Sequence, residues 1–153
     1  MKICIGGTFN ILHKGHKKLI EKALKSSDPD GLVFIGVTTD EFLIKKKKSK
    51  SYEVRVKNLE SYLKQTKYFN RVKIKPIDDK FGPALTEDFD IIIVSPETYK
   101  TAVVINNIRL GHGLKPMKII KISYVLAEDG KPISSSRIIK KEIDKDGNLI
   151  LKD

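Results

Sequence analysis

The sequence predicts an α/β fold: a doubly wound parallel sheet of about five strands with helices on both faces. Apolar runs of strand length alternate along the 153 residues with segments whose apolar side chains recur at helical spacing. The run at 32–37 is continuously apolar, which is typical of a central parallel strand that is covered on both sides. Strands and helices that alternate in this order indicate βαβ units, the components of a Rossmann-like sheet.

The predicted elements follow one another without a linker or an internal repeat. The first strand covers 2–6 and ends at a glycine pair, and the first helix covers 16–26 and ends in a turn of Ser, Asp, Pro and Gly. The remaining strands are predicted at 32–37, 72–77, 91–94 and 118–125, and the remaining helices at 52–67, 98–110 and 134–143. We therefore expect a single domain over 1–153, with a short C-terminal tail at 145–153.

Composition limits the classes of protein to which the chain could belong. Thirty Lys and Arg residues against 19 Asp and Glu residues give a formal net charge of +11. No apolar run approaches the roughly 18 to 20 residues of a membrane-spanning helix, and the N-terminal apolar run is too short for a secretory leader. The one cysteine, Cys4, excludes an internal disulfide and indicates a buried structural thiol. These features predict a cytoplasmic protein without a membrane span, and the charge indicates an anionic partner: nucleic acid, acidic lipid or a small phosphorylated substrate.

The loop after the first predicted strand carries the densest group of candidate functional residues. It reads Gly6-Gly7-Thr8-Phe9-Asn10-Ile11-Leu12-His13-Lys14-Gly15-His16. Ligands of parallel sheets bind beyond the carboxyl ends of the strands, so this loop lies where a ligand is expected. Its three glycines allow a phosphate or an adenine to approach the backbone, and the Thr8 hydroxyl adds a donor. His13 and His16 share one face of the helix start, beside free N–H groups that favour an anion.

A second candidate segment, Ile133-Ser134-Ser135-Ser136-Arg137, opens the last predicted helix. Its hydroxyl and backbone N–H groups could hold the outer phosphates of a nucleotide, with Arg137 as a cation beside them. Taken alone, each motif has a simpler interpretation, because serines often cap helices and the two histidines could be ordinary surface side chains. The presence of both motifs favours a nucleoside triphosphate site.

The two motifs resemble the nucleotidyltransferase signatures Gly-Thr-Phe-Asp-x-x-His-x-Gly-His and Ile-Ser-Ser-Thr-Arg. Other segments are similar to the archaeal type of phosphopantetheine adenylyltransferase and to the matching domain of eukaryotic coenzyme A synthases. These segments are Gly36-Val37-Thr38 with the lysines that follow, Tyr52-Glu53-Val54-Arg55-Val56, Asp79-Lys80-Phe81-Gly82-Pro83-Ala84, Val94-Ser95-Pro96-Glu97-Thr98-Tyr99 and Ile105-Asn106-Asn107-Ile108-Arg109. The resemblance covers most of 1–142 and departs from the family pattern at Asn10, where the family usually has Asp.

The resemblance implies transfer of AMP from ATP to 4′-phosphopantetheine, which gives dephospho-coenzyme A and pyrophosphate. The acceptor phosphate would attack the α-phosphorus in line and without a covalent intermediate. His16 would stabilise charge on the α-phosphate, His13 would assist, and Thr8 would orient the acceptor. Lys45, in the loop where the family places a lysine, would contact phosphate. Mg²⁺ would be bound through ATP oxygens, because no acidic cluster resembles a metal site built by the protein.

The residues expected to bind the nucleotide come from the two motifs and from the helix after the fourth strand. They are Gly6, Gly7, Thr8, Phe9, His13, Gly15, His16, Arg109, Ser134, Ser135, Ser136 and Arg137. Two other interpretations remain open. One is a nucleotidyltransferase that uses CTP with glycerol phosphate, or ATP with nicotinamide or flavin mononucleotide; the other is a non-catalytic RNA-binding domain. The expected partners are small-molecule substrates and not nucleic acid or membrane, and the sequence implies no oligomeric state.

Overall fold

Parallel strands form the centre of the structure, a computed structural model in which residues 1–43 and 49–151 are described. In these ranges the strands are β1 Lys2–Gly7, β2 Leu32–Thr38, β3 Val72–Ile77, β4 Ile91–Val94 and β5 Lys118–Lys121. The α-helices are α1 Lys14–Ser26, α2 Tyr52–Leu63, α3 Tyr99–Gly111 and the short α4 Ser135–Ile139. Two 3-10 helices lie at Phe69–Arg71 and Gly82–Leu85. No helix in the described ranges is long and apolar enough to cross a membrane.

The strands lie in the order β3-β2-β1-β4-β5, and every neighbouring pair is parallel. From β1 the chain runs outward through β2 and β3, and it then crosses to β4 on the other side of β1. The strand order therefore reverses between β1 and β4, and the crevice at their carboxyl ends is the usual ligand position in such sheets. The predicted Rossmann-like sheet of five parallel strands is confirmed.

Helices cover both faces of the sheet because successive side chains of a strand point in opposite directions. Ile3 and Ile5 of β1 pack with α1 and α2 on one face, whereas Cys4 between them packs under α3 on the other. Each large apolar side chain that is fully buried in these layers, such as Ile3, contributes about 1.5–3 kcal/mol. Burial also raises the pKa of the Cys4 thiol to about 12, so the predicted buried thiol is confirmed.

Three elements are shorter than the sequence pattern predicts, each for a local reason. β5 ends at Lys121 and not at 125, because its partner β4 has only four residues with which to pair. α2 ends at Leu63, where the Thr66 hydroxyl donates to the Leu63 carbonyl at 2.7 Å and competes with the helical bond. α4 ends at Ile139, two residues before Lys141 adopts a left-handed φ of 60°.

The C-terminal segment packs against the rest of the protein through residue 150. An isolated antiparallel bridge joins Ile143 to Leu149, and Ile143 is fully buried with Ala127 and Ile133. The Lys14 amide donates to the Lys145 carbonyl at 3.3 Å, directly at the start of α1. The segment that the sequence predicts as a tail from 145 is thus tied to the helix that begins the first motif.

Candidate active site

A cavity of about 700 Å³ opens at the carboxyl ends of β1 and β4, where the strand order reverses. Both predicted motifs line it: Gly6, Gly7, Thr8, Phe9, His13, Gly15 and His16 from the first, and Ser134, Ser135 and Ser136 from the second. The Ser135 hydroxyl donates to the carbonyl of Ile11 at 3.5 Å, which joins the motifs across 124 residues. Ten of the twelve predicted nucleotide-binding residues are therefore brought together in one place.

The two histidines form a reciprocal cap at the start of α1. Nδ1 of His13 accepts hydrogen bonds from the backbone N–H groups of Gly15 at 3.0 Å and His16 at 3.4 Å, and Nδ1 of His16 accepts from the His13 N–H at 3.4 Å. Their rings stack with centroids 3.8 Å apart. Because each Nδ1 is an acceptor, each neutral ring carries its proton on Nε2. The arrangement fixes both tautomers and supplies two neutral Nε2–H donors.

Both histidines are uncharged at neutral pH in the free protein. Burial lowers the pKa of His13 to about 4. Burial, and to a smaller extent the neighbouring His13, lower the pKa of His16 to about 3, although a hydrogen bond with the Ile11 backbone opposes this shift. Protonation would put two cations in stacked rings within a partly enclosed space, which explains why the neutral forms are favoured.

The first motif is tightly packed around the histidines. The Phe9 ring is almost fully buried and lies 5.1 Å from the His16 ring, and its backbone has a left-handed φ of 50°. A Cβ atom at Gly15 would lie only 2.8 Å from Cε1 of His13. Glycine at this position is therefore required by the His13 ring, in addition to any approach of a phosphate.

Comparison with known proteins agrees with this geometry. The cytidylyltransferase-like family model matches residues 4–141. The chain belongs to this family. A phosphopantetheine adenylyltransferase of Methanosarcina barkeri is 50% identical over 149 residues, covering 97% of this chain and 92% of that protein. One of Archaeoglobus fulgidus is 42% identical over 151 residues, covering 98% and 100%. A crystal structure of an Archaeoglobus fulgidus protein of unknown function superposes with a TM-score of 0.72 at 37% identity, covering 80% of this chain and 89% of that one.

Arg109 does not reach the cavity, which corrects its predicted contact with the nucleotide. It is 1% exposed, and its guanidinium donates to three backbone carbonyls: Lys115 at 2.9 Å, Ala84 at 2.8 Å and Glu87 at 2.6 Å. These bonds join α3 to the 3-10 helix Gly82–Leu85 and to the segment before β4. Arg109 is therefore a structural residue of this family member.

Arg137 is held by acidic side chains and does not line the cavity, unlike the three serines before it. It forms ion pairs with Asp129 and with Glu142, the latter at 2.9 Å, and its Nη1 donates to the Pro132 carbonyl at 3.1 Å. These contacts raise its pKa and lower the pKa of Asp129. In the free protein Arg137 thus faces these carboxylates, and its place beside the phosphates stays a prediction. Lys45 lies outside the described residues.

Sequence reasoning missed a second cavity of about 260 Å³ on the other side of the first loop. The two cavities share Gly6, Gly7 and Thr98 as lining residues. The walls of the second cavity are mostly apolar and come from β1, β2, β3, β4, α3 and 79–84. Its lining residues include Phe34, Phe42, Ile77, Phe81, Ile92 and Val94, and Lys75, Asp79 and Lys80 add charge. The segment 79–84 carries a resemblance to the family, but its apolar residues have no clear period that would predict a cavity wall.

Sequence reasoning also missed Arg55, which is fully buried beside the first motif. Its guanidinium donates to the carbonyls of Thr8 at 2.9 Å and Lys50 at 2.8 Å, and to Asp40 at 3.2 Å. A signal was present: Arg55, Leu59 and Leu63 are spaced by four residues and form the buried face of α2. A cation at such a position needs buried acceptors, which is a reason to look for them in a neighbouring loop.

Proposed function

We propose that the chain transfers AMP from ATP to 4′-phosphopantetheine, giving dephospho-coenzyme A and pyrophosphate. The observation that carries the proposal is that both motifs line one cavity at the reversal point of the sheet. The names and identities of the archaeal relatives support the choice of acceptor. We expect the reaction to occur in the cytoplasm and to involve small molecules only.

ATP would occupy the larger cavity with its phosphates beside the start of α1. The Nε2–H groups of His13 and His16 and the hydroxyls of the three serines are uncharged donors there. Uncharged donors that are already in place can stabilise the negative charge as it moves from the α-phosphate to the leaving pyrophosphate, and the protein needs little rearrangement. The high positive charge of the chain would attract both substrates.

The smaller cavity is suited to the uncharged arm of the acceptor. Its walls are mostly apolar, and it meets the larger cavity at the glycines of the first loop. At this junction the hydroxyls of Thr8 and Thr38 lie 3.2 Å apart, one on each cavity. An acceptor whose arm fills the smaller cavity would place its terminal phosphate beside Thr8, in front of the α-phosphate of ATP.

The reaction needs positioning more than acid–base catalysis. An oxygen of the acceptor phosphate, already anionic, forms a bond to the α-phosphorus, while the bond from that phosphorus to the bridging oxygen breaks and pyrophosphate leaves. No proton has to be removed from the nucleophile. Among residues 1–43 and 49–151 no group of three His, Cys, Asp or Glu side chains could hold a metal ion. Mg²⁺ would accordingly be carried by ATP oxygens and would neutralise phosphate charge.

A pyrophosphate-release assay with purified protein tests the proposal. We expect release with ATP and 4′-phosphopantetheine, and none with CTP and glycerol phosphate or with ATP and nicotinamide or flavin mononucleotide. His16→Gln should lower kcat about a hundredfold or more, as does the loss of one donor to a developing anion elsewhere. His112→Gln, at an exposed site in the turn after α3, is the matched control and should not change kcat. Release that is equal with a rival acceptor would contradict the proposal, as would RNA binding at moderate salt without any release.

A further inference from the structure

We propose that Arg55 is a positioning residue that sets the direction of the Thr8 hydroxyl, through a one-way chain of hydrogen bonds that passes by Thr38. The proposal rests on the proposed function in one respect, because it takes Thr8 to be the group that meets the acceptor phosphate. It gives a buried cation outside the cavity a specific part in the reaction.

The Arg55 guanidinium is held in position by contacts within the protein. Its side chain is 0% exposed, and Asp40, its partner in an ion pair at 3.2 Å, is 57% exposed and thus mostly solvated. The other three bonds go to uncharged oxygens: the carbonyls of Thr8 and Lys50, and Oγ1 of Thr38 at 3.4 Å. Bonds to the first loop and to Lys50, two residues before α2, prevent the guanidinium from turning.

The second step concerns the direction of the bonds. A guanidinium can only donate, so Thr38 Oγ1 is the acceptor of the bond from Arg55. Thr38 Oγ1 keeps a second lone pair, but a bond accepted from a cation polarises its O–H group and makes Thr38 the better donor of the pair, so its proton is directed at Thr8 Oγ1, which lies 3.2 Å away. Thr8 Oγ1 is an acceptor in this pair, and its own proton must go elsewhere. The described part of the chain offers no acceptor for it, and Thr8 lines the larger cavity.

The consequence is that the Thr8 hydroxyl is prepared as a donor before substrate arrives. Two threonine hydroxyls alone can share a proton in either direction, and in half of those arrangements Thr8 would donate to Thr38 and not to a phosphate. A cation at one end of the chain favours the arrangement in which Thr38 donates, because it polarises the bonds that follow and weakens Thr38 Oγ1 as an acceptor. Arg55 thus selects one of two arrangements and needs no contact with the substrate.

A double-mutant cycle tests this route. Thr8→Val removes the hydroxyl but keeps the backbone carbonyl that Arg55 also holds. We expect Arg55→Lys to lower kcat/KM for 4′-phosphopantetheine roughly tenfold in the wild-type background, with KM for ATP unchanged, and to have little further effect in the Thr8→Val background. An equal loss in both backgrounds would overturn the proposal, because Arg55 would then act through the backbone of the loop.

A pair of substitutions at Thr38 covers the case in which Arg55→Lys does not fold. Thr38→Val removes the middle hydroxyl and keeps its shape, and Thr38→Ser restores the hydroxyl. Without the bond donated by Thr38 the Thr8 hydroxyl is free to rotate, so we expect Thr38→Val to lower kcat/KM for the acceptor and Thr38→Ser to restore most of it. An unchanged kcat/KM in Thr38→Val would contradict the relay.

One measurement is independent of the reaction and separates failure of the relay from failure of the proposed function. Thr38 is 8% exposed, so its hydroxyl proton should exchange slowly enough to be seen by NMR, with a cross-relaxation contact to the Thr8 side chain. If the bridging proton belongs to Thr8 in the free protein, the relay is wrong whatever the activity. If it belongs to Thr38 but the wild-type protein releases no pyrophosphate, the relay stands and the proposed function fails.

Discussion

Lowering the pH from 7 to 5 should destabilise the free protein through His13 and His16. Burial lowers the pKa of His13 to about 4 and that of His16 to about 3, whereas both have a pKa of 6.5 in an unperturbed state. A histidine whose folded pKa lies below its unfolded pKa takes up a proton in the unfolded chain first. Its contribution to stability is therefore complete above pH 6.5 and is lost as the pH falls toward the folded pKa.

The size of the effect follows from the two shifts. Each pH unit between the folded and unfolded pKa costs about 1.4 kcal/mol per histidine. From pH 7 to pH 5 each of the two histidines thus removes about 2 kcal/mol, and together they remove about 4 kcal/mol at most. Small domains have a free energy of unfolding of about 5–15 kcal/mol, so a loss of this size is easily measured.

Urea unfolding at pH 7, 6 and 5 provides the assay. The free energy of unfolding of the wild type should fall by up to about 4 kcal/mol over this range, and that of His16→Gln by about half as much. His112→Gln removes the third histidine of the sequence at an exposed position and should fall as steeply as the wild type. Equal losses in the wild type and in His16→Gln would refute the assignment of acid sensitivity to the cavity.

Two further predictions concern the packing around Gly36 and the hydrogen bonds of Arg109. A Cβ at Gly36 would lie 2.2 Å from Cδ1 of Ile77, so Gly36→Ala should push the Ile77 side chain into the cavity. We expect the free energy of unfolding in urea to fall by about 1–3 kcal/mol and KM for the acceptor to rise. Gly111→Ala is the control: a Cβ there meets no atom within 4 Å, and its stability should be unchanged or higher. Arg109→Met should leave the carbonyls of Lys115 and Ala84 without a donor, whereas the Glu87 carbonyl keeps the Phe89 N–H, and should lower the free energy of unfolding by at least about 2 kcal/mol. Binding of ATP, measured by calorimetry, should change little. An unchanged free energy of unfolding in Arg109→Met would show that the hydrogen bonds of Arg109 do not stabilise the fold.

The parts of the molecule that the sequence predicts are those with a local pattern. The four apolar residues of β4 and the glycine-histidine motif after β1 are recognisable from neighbouring residues alone. Ligands of parallel sheets bind at the carboxyl ends of the strands, and this rule predicts that the motif lies at the site. The serines at 134–136 are predicted for the same reason. The sequence therefore predicts both the family and the sharing of one cavity by the two motifs.

The parts that the sequence does not predict depend on distant backbone. Arg109 and Arg55 are charged residues, which usually indicates exposure, but each is buried because carbonyls from other loops converge on its guanidinium. Where those carbonyls lie is decided by the fold and not by neighbours in sequence. The low pKa of His16 is equally non-local, because it arises from burial, and the end of β5 is decided by the length of β4.

The position of Cys4 has a practical consequence for experiments on this protein. It is the one thiol of the sequence, and with a pKa of about 12 it is almost entirely protonated at neutral pH and poorly reactive toward labelling reagents. A cysteine introduced on the surface would thus accept a fluorophore or spin label at a single site, without prior removal of the native one. Cys4 also lines the smaller cavity, so the rate at which a small thiol reagent modifies it would report on whether that cavity is filled.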